Sequence, residues 1–205
     1  YRFTRHNAGA LFLESLCDGY QGELRPESKF FGMAERITIA GKDVRLLFPT
    51  TMMNASGQAV SAMAKYFDIA PENILVAYDE LDLPVDTARL KSGGGHGGHN
   101  GVRDIAKALG TNDFHRLRIG IGRPKGDGID YVLGEPSKQD AQAIQNNIDD
   151  AIALMPLLLE GKIQDAMQKL HTDSEKVAKP KSKASSTEKE EKENLWEMTA
   201  DLVEM

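Results

Sequence analysis

A histidine, an aspartate and two asparagines stand at turns and at the ends of apolar segments, where side chains are available for chemistry. His6-Asn7 opens the first predicted helix. Asn54 lies in Met52-Met53-Asn54-Ala55-Ser56-Gly57, ahead of the second helix, and Asp79 begins a polar stretch directly after the apolar run Ile74–Ala77. In open α/β sheets, ligands bind beyond the carboxyl ends of strands. An aspartate placed there orients a histidine and stabilises its charged form, so His6 and Asp79 form a candidate general-base pair. Taken singly, each of these residues also reads as a turn or cap residue. Covalent chemistry has little support: there is no Gly-x-Ser-x-Gly elbow, and the lone cysteine, Cys17, has no activating basic neighbour. Surrounded by Leu11, Phe12, Leu13 and Leu16, it reads as a small core residue, and its solitude fits a reducing compartment. Activation of water is the better-supported chemistry.

The second chemical feature is the loop Ser92-Gly93-Gly94-Gly95-His96-Gly97-Gly98-His99-Asn100-Gly101. Gly93, Gly95 and Gly98 formally match a dinucleotide-binding fingerprint. The preceding segment Thr87–Lys91 is half polar, however, and no acidic residue closes a second strand about 20 residues on. A metal clip from His96 and His99, with His6 or Asp79 as third ligand, would rest on a flexible mount with no tight cluster around it. The remaining reading is a close backbone approach to a bulky ligand, with His99 and Asn100 presenting polar groups at a helix start.

The formal net charge is −6, yet the charge is unevenly spread. Arg89, Lys91, Arg103, Lys107, Arg116, Arg118, Arg123 and Lys125 are opposed only by Asp104 and Asp113, a local excess of +6. Such a stretch is either a solvated surface or the footprint of a polyanion.

The elements that must hold these groups follow from periodicity. Leu11, Phe12, Leu16 and Tyr20 form a helical stripe after Asn7, which is placed to cap it. Ile37–Ile39 and Val44–Phe48 predict a hairpin around Gly41-Lys42-Asp43. Val60, Met63, Ala64 and Phe67 predict a helix after Ser56. Strands are expected at 74–77, 87–91 and 117–121, and a helix at 102–109. Ser137 is expected to cap a helix running to about Glu160, bent or restarted at Pro156, with a last helix at about 162–171. With 40% hydrophobic and 27% charged residues, the composition is that of a soluble globular chain. No run is long enough for a membrane span, and no charged-then-apolar leader follows Tyr1, so neither membrane nor export is expected. The reading is one α/β domain over residues 1–172. A tail over 173–205 follows, rich in Lys, Glu and Ser and expected to be disordered, with a possible short helix around Leu195–Val203.

In combination, several segments resemble the bacterial-type peptidyl-tRNA hydrolases. They are Thr4-Arg5-His6-Asn7-Ala8-Gly9, Pro49–Gly57, Asp79-Glu80-Leu81-Asp82-Leu83-Pro84, Gly93–Gly101, Phe114–Gly122 and Val132-Leu133-Gly134. The resemblance covers about residues 1–171. It implies a single α/β domain built on a twisted mixed β-sheet flanked by helices, monomeric and cytoplasmic. It also implies cleavage of the ester joining a peptide to the terminal ribose of tRNA, with no metal or organic cofactor. On that resemblance His6 is the general base and Asp79 orients it. Asn54 and Asn100 position peptide and water, while His99, Met53, Asn7 and Tyr1 line the substrate cleft. Lys91 and Arg118 grip a phosphate at the acceptor end of tRNA, near its 3′ terminus, and Arg89, Arg103 and Lys107 extend that contact. The family pattern also begins with an apolar strand and a Gly-Leu-x-Asn-Pro-Gly turn ahead of a tyrosine near Tyr1. Residues 1–205 lack that strand and its site-lining asparagine, and they carry a longer tail, so this stretch alone is expected to fold weakly. A non-enzymatic RNA-binding module on the same fold, as in plastid intron-splicing factors, is the alternative.

Overall fold

The computed structural model describes residues 4–124 and 128–175. Tyr1, Lys125 and the expected tail beyond 175 therefore lie outside the described residues. A 3-10 turn at Arg5–Asn7 leads into α1 (Ala8–Gly19), which buries Phe12, Leu16 and Cys17. Asn7 occupies the N-cap position, but its side chain makes no cap hydrogen bond. Its Nδ2 donates to Thr4 Oγ1 at 3.3 Å instead.

A short β1 (Arg25–Glu27) pairs with β2 (Gly32–Ile39), which forms an antiparallel hairpin with β3 (Lys42–Pro49). The turn is Ala40-Gly41, both at positive φ (49° and 75°). Two such residues match the right-handed strand twist, so Lys42 and Asp43 enter the strand and do not make the turn. After α2 (Ser56–Phe67), the parallel strand β4 (Leu75–Glu80) runs beside β6 (His115–Gly120), and β5 (Ala88–Ser92) closes the other side antiparallel. The sheet is mixed, as expected, but it is divided into two three-stranded layers, β1-β2-β3 and β4-β6-β5. Among the described residues, β3 and β4 each pair on one side only, and α1 packs against both.

The helix α3 (Asn100–Leu109) starts two residues earlier than periodicity suggested, because His99 supplies its cap: Nδ1 accepts from Val102 N–H. The chain continues through α4 (Gly128–Leu133), α5 (Lys138–Ala153) and α6 (Met155–Leu159) to α7 (Ile163–Glu175). Ser137 caps α5 as expected, accepting from Asp140 N–H at 3.1 Å. Pro156 near the start of α6 marks a restart, since proline fits the first helical turn, where its missing N–H costs nothing. The last helix ends at Glu175, the last described residue.

The main core lies between α1, α5 and α7 and one face of the β4-β6-β5 layer, around Phe12, Leu16, Leu117, Ile119, Ile144, Ile148 and Leu170. A smaller core of Tyr78, Val102, Ile105 and Phe114 fills the other face under α3. With both faces covered, Arg116 is fully buried on the central strand. It donates to the Gly95 carbonyl and lies over the Phe114 ring at 4.6 Å. It is therefore a strut under the glycine loop and not part of the cationic surface in which the sequence reading counted it.

Candidate active site

Asp79 is not beyond the end of its strand, as periodicity suggested, but inside β4. The strand carries its polar end inward because α1 rests directly on it. Gly9 makes that possible: a Cβ there would lie 2.3 Å from the Ala77 carbonyl oxygen. The close approach delivers the turn before α1 to Asp79. His6 Nδ1 lies 3.2 Å from Asp79 Oδ1 and 3.3 Å from Oδ2. The side chains are 12% and 2% exposed.

Arg5 fixes that turn from behind. Its backbone N–H donates to the Gly134 carbonyl at 3.2 Å. Its guanidinium donates to the carbonyls of Tyr131 and Glu135 and to Asp140 Oδ2, and stacks 4.2 Å from the Tyr131 ring centroid. The Val132-Leu133-Gly134 segment therefore matters because it receives the neighbour of the candidate base. Arg5 was legible only as part of a motif, and its anchoring role needed the fold.

A second imidazole faces the same carboxylate. His99 Nε2 lies 3.6 Å from Asp79 Oδ1, and its side chain is 4% exposed. Because His99 Nδ1 accepts the Val102 N–H at 3.3 Å, its ring proton belongs on Nε2, towards Asp79. Tyr78 packs edge-on against His99 at 4.8 Å, and the His6 and His99 rings are near-parallel at 6.2 Å. The two histidines are thus unequal. His99 spends Nδ1 on capping α3 and faces the carboxylate with Nε2 from 3.6 Å, a longer approach than that of His6. His6 points Nδ1 at Asp79, which turns its Nε2 away from the carboxylate.

Electrostatics agree with that division. Burial by itself would raise the Asp79 carboxyl, but the charge and hydrogen bond of His6, followed by those of His99, hold it well below the usual carboxylate range. Burial by itself would lower the His6 imidazole; the Asp79 carboxylate outweighs it and sets His6 above its ordinary value. An ionised Asp79 beside a basic imidazole is the arrangement a general base requires.

Met53 and Asn54 sit together on the 3-10 turn Met53–Ala55, Met53 half-buried and Asn54 exposed. The turn is tied to the glycine loop's helix at two points. Gly57 N–H donates to Asp104 Oδ2 at 2.7 Å, and Met53 Sδ lies where a Cβ on Gly101 would be, 2.6 Å from it. Met53, His99 and Asn100 are thereby brought to one place. Asn100 is buried, and its Oδ1 accepts from Arg103 Nη2 at 2.5 Å. Arg103 therefore orients Asn100 in addition to standing on the exposed face of α3, one turn from exposed Lys107.

The remaining cations gather on neighbouring strands: Arg89 on β5 pairs across with Arg118 on β6, and Lys91 with Arg116. Lys91 folds its ammonium end over Gly94. Arg89 is partly committed, its Nη1 donating to the His171 carbonyl at 3.2 Å. Arg118 Nε donates to Glu80 Oε2 at 2.9 Å. Sequence reading passed over Glu80, although its adjacency to Asp79 on a strand sends it to the opposite face. Among the described residues, no group of three His, Cys, Asp or Glu side chains is arranged to hold a metal ion, and no helix is long and apolar enough to cross a membrane.

The family model described as peptidyl-tRNA hydrolase matches residues 1–180. The peptidyl-tRNA hydrolase of Sodalis glossinidius is 53% identical over 174 residues, covering 83% of this chain and 90% of that protein. The Pseudomonas entomophila peptidyl-tRNA hydrolase is 52% identical over 175 residues, covering 83% and 90%. The crystal structure of peptidyl-tRNA hydrolase from Acinetobacter baumannii superposes with a TM-score of 0.80 at 46% identity, covering 83% of this chain and 88% of that one. These similarities lend no support to the non-enzymatic splicing-module alternative.

Proposed function

The chain belongs to the peptidyl-tRNA hydrolase family, and from that premise we propose that His6 and Asp79 carry its hydrolysis of the ester between peptide and tRNA. The observation that carries this assignment is the unequal pair of imidazoles on one buried carboxylate. His6 Nδ1–H donates to Asp79, so Nε2 takes the proton of an attacking water. The hydroxide adds to the ester carbonyl, and the ribose oxygen leaves as His6 returns the proton. His99 supports Asp79 from the second side and holds its charge in place. Asn100, oriented by Arg103, and Asn54, beside Met53, position the peptide and the water, and Asn7 borders the same turn as His6. Tyr1 belongs to this cleft by resemblance alone.

The acceptor end of tRNA lies across Lys91 and Arg118, with Lys107, Arg103 and Arg89 as outer contacts. The chain acts as a cytoplasmic monomer and needs no metal or organic cofactor, because positioning, a base and a preorganised polar cleft suffice for an ester. The hydrolase domain ends after α7, and the charged segment beyond it is dispensable for chemistry.

The test is the pH profile of peptidyl-tRNA cleavage by full-length protein. His6→Ala lowers kcat by about 10²–10⁴-fold with tRNA binding retained. In the native protein the rate falls with decreasing pH as His6 protonates, at a pH set by its raised basicity. Asp79→Asn removes the group that raises it, so the acid limb moves to lower pH. A limb that stays in place, or undiminished turnover by His6→Ala, excludes this assignment.

A further inference from the structure

Strand β4 ends on two carboxylates that alternate across the sheet. Asp79 turns to His6, and Glu80 turns to the other face, where the chemistry has no use for it. Its side chain is nonetheless 5% exposed. A buried carboxylate is tolerated only when its oxygens are satisfied. Glu80 Oε1 accepts the Asp82 backbone N–H at 3.1 Å, and Oε2 accepts Arg118 Nε–H at 2.9 Å. Arg118 is 26% exposed and lies level with Tyr78 of β4 and Arg89 of β5. Two guanidiniums directly across a strand pair repel each other, and left alone Arg118 would swing away from Arg89.

A guanidinium is a planar fork whose edges can be used separately. Held at Nε, Arg118 keeps a fixed plane and retains its Nη edge for an anion. Charge alone argues against an acid here, because a carboxylate beside a phosphate-binding cation weakens the attraction. Orientation argues for it, since two-point contact with phosphate needs the fork aimed.

We propose that Glu80 is a positioning residue for tRNA: it grips Arg118 at Nε so that the Nη edge meets an acceptor-end phosphate in one orientation. The inference rests on the reading of Arg118 as a phosphate contact. One end of one strand then sets both halves of the reaction, the base through Asp79 and the grip on the substrate through Glu80.

The experiment measures KM and kcat for peptidyl-tRNA with full-length Glu80→Gln, Arg118→Ala and the double variant. Glu80→Gln raises KM about tenfold while kcat holds, and the double variant matches Arg118→Ala. A raised KM for Arg118→Ala beside an unchanged or lowered KM for Glu80→Gln overturns the role of Glu80 alone. An unchanged KM for Arg118→Ala removes the phosphate reading of Arg118 and this inference with it. Arg118→Lys guards against a Glu80 variant that fails to fold. Its ammonium is drawn onto Glu80 and cannot also serve the phosphate, so its KM approaches that of Arg118→Ala. A native KM from Arg118→Lys shows that charge suffices and overturns the proposal.

Discussion

Gly9→Ala tests whether the distance between His6 and Asp79 is set by backbone contact between α1 and β4. The added methyl would stand 2.3 Å from the Ala77 carbonyl oxygen, 2.9 Å from its carbon and 3.2 Å from Tyr78 Cα. These are backbone atoms of a strand paired to its neighbour, so the strand does not yield. Ordinary contact requires the first turn of α1 to lift by about 1 Å. His6 lies three residues before Gly9 and moves with it, opening the 3.2 Å contact with Asp79 to about 4 Å, beyond hydrogen-bond reach. Overpacking costs about 1–3 kcal/mol, more than the ~1 kcal/mol that alanine offers a helix over glycine. Misplacing a catalytic group by about 1 Å costs on the order of 10² in rate. Gly9→Ala should therefore lower Tm and reduce kcat/KM on peptidyl-tRNA about a hundredfold. The acid limb should also shift to lower pH as Asp79 loses its hold on His6. Native kcat/KM with a raised Tm, the result helix propensity alone would give, refutes the reasoning.

Two further outcomes are expected. Lys91→Ala should weaken tRNA binding and reduce the slope of log affinity against log salt by about one, leaving a small ester substrate without tRNA hydrolysed as before; equal loss on both substrates would place Lys91 in the scaffold. His171→Ala should remove the ring nitrogen that accepts the buried Leu90 N–H at 3.2 Å, costing about 1–3 kcal/mol and lowering Tm by roughly 2–4 °C for each kcal/mol. His171→Gln, which retains an acceptor, should recover part of that loss in the same melting experiment.

Residue type was informative wherever a single local rule governed. Asp79 and His6 were legible as a pair because polar residues bordering apolar runs are conspicuous, even though Asp79 proved to lie inside its strand. Arg116 was misread for the same reason. Between two helical layers the alternation of a strand has no solvent side, and a cation can face a core if a carbonyl and an aromatic ring receive it. Glu80 was invisible because its meaning depends on Arg118, 38 residues away on a neighbouring strand. Arg103 and Arg89 were read as outward charges, yet each also binds a partner, Asn100 and the His171 carbonyl, that only packing reveals. The division of the sheet into two layers could not be read either, since strand pairing is a property of edges and not of local pattern.

The bond between His171 and Leu90 also orders events during synthesis. Strand β5 is complete by Ser92, but the imidazole that covers its backbone N–H and the carbonyl that receives Arg89 belong to α7, about 80 residues later. Contacts that close so long a loop come late in folding. A nascent chain released from the ribosomal tunnel up to α5 would hold its paired strands with that backbone donor uncovered, and an uncovered strand edge recruits other chains. The protein therefore passes through a window in which its own elongation, rather than its stability, decides whether that edge stays free of other chains. The window ends only when α7 emerges and seats His171 against β5.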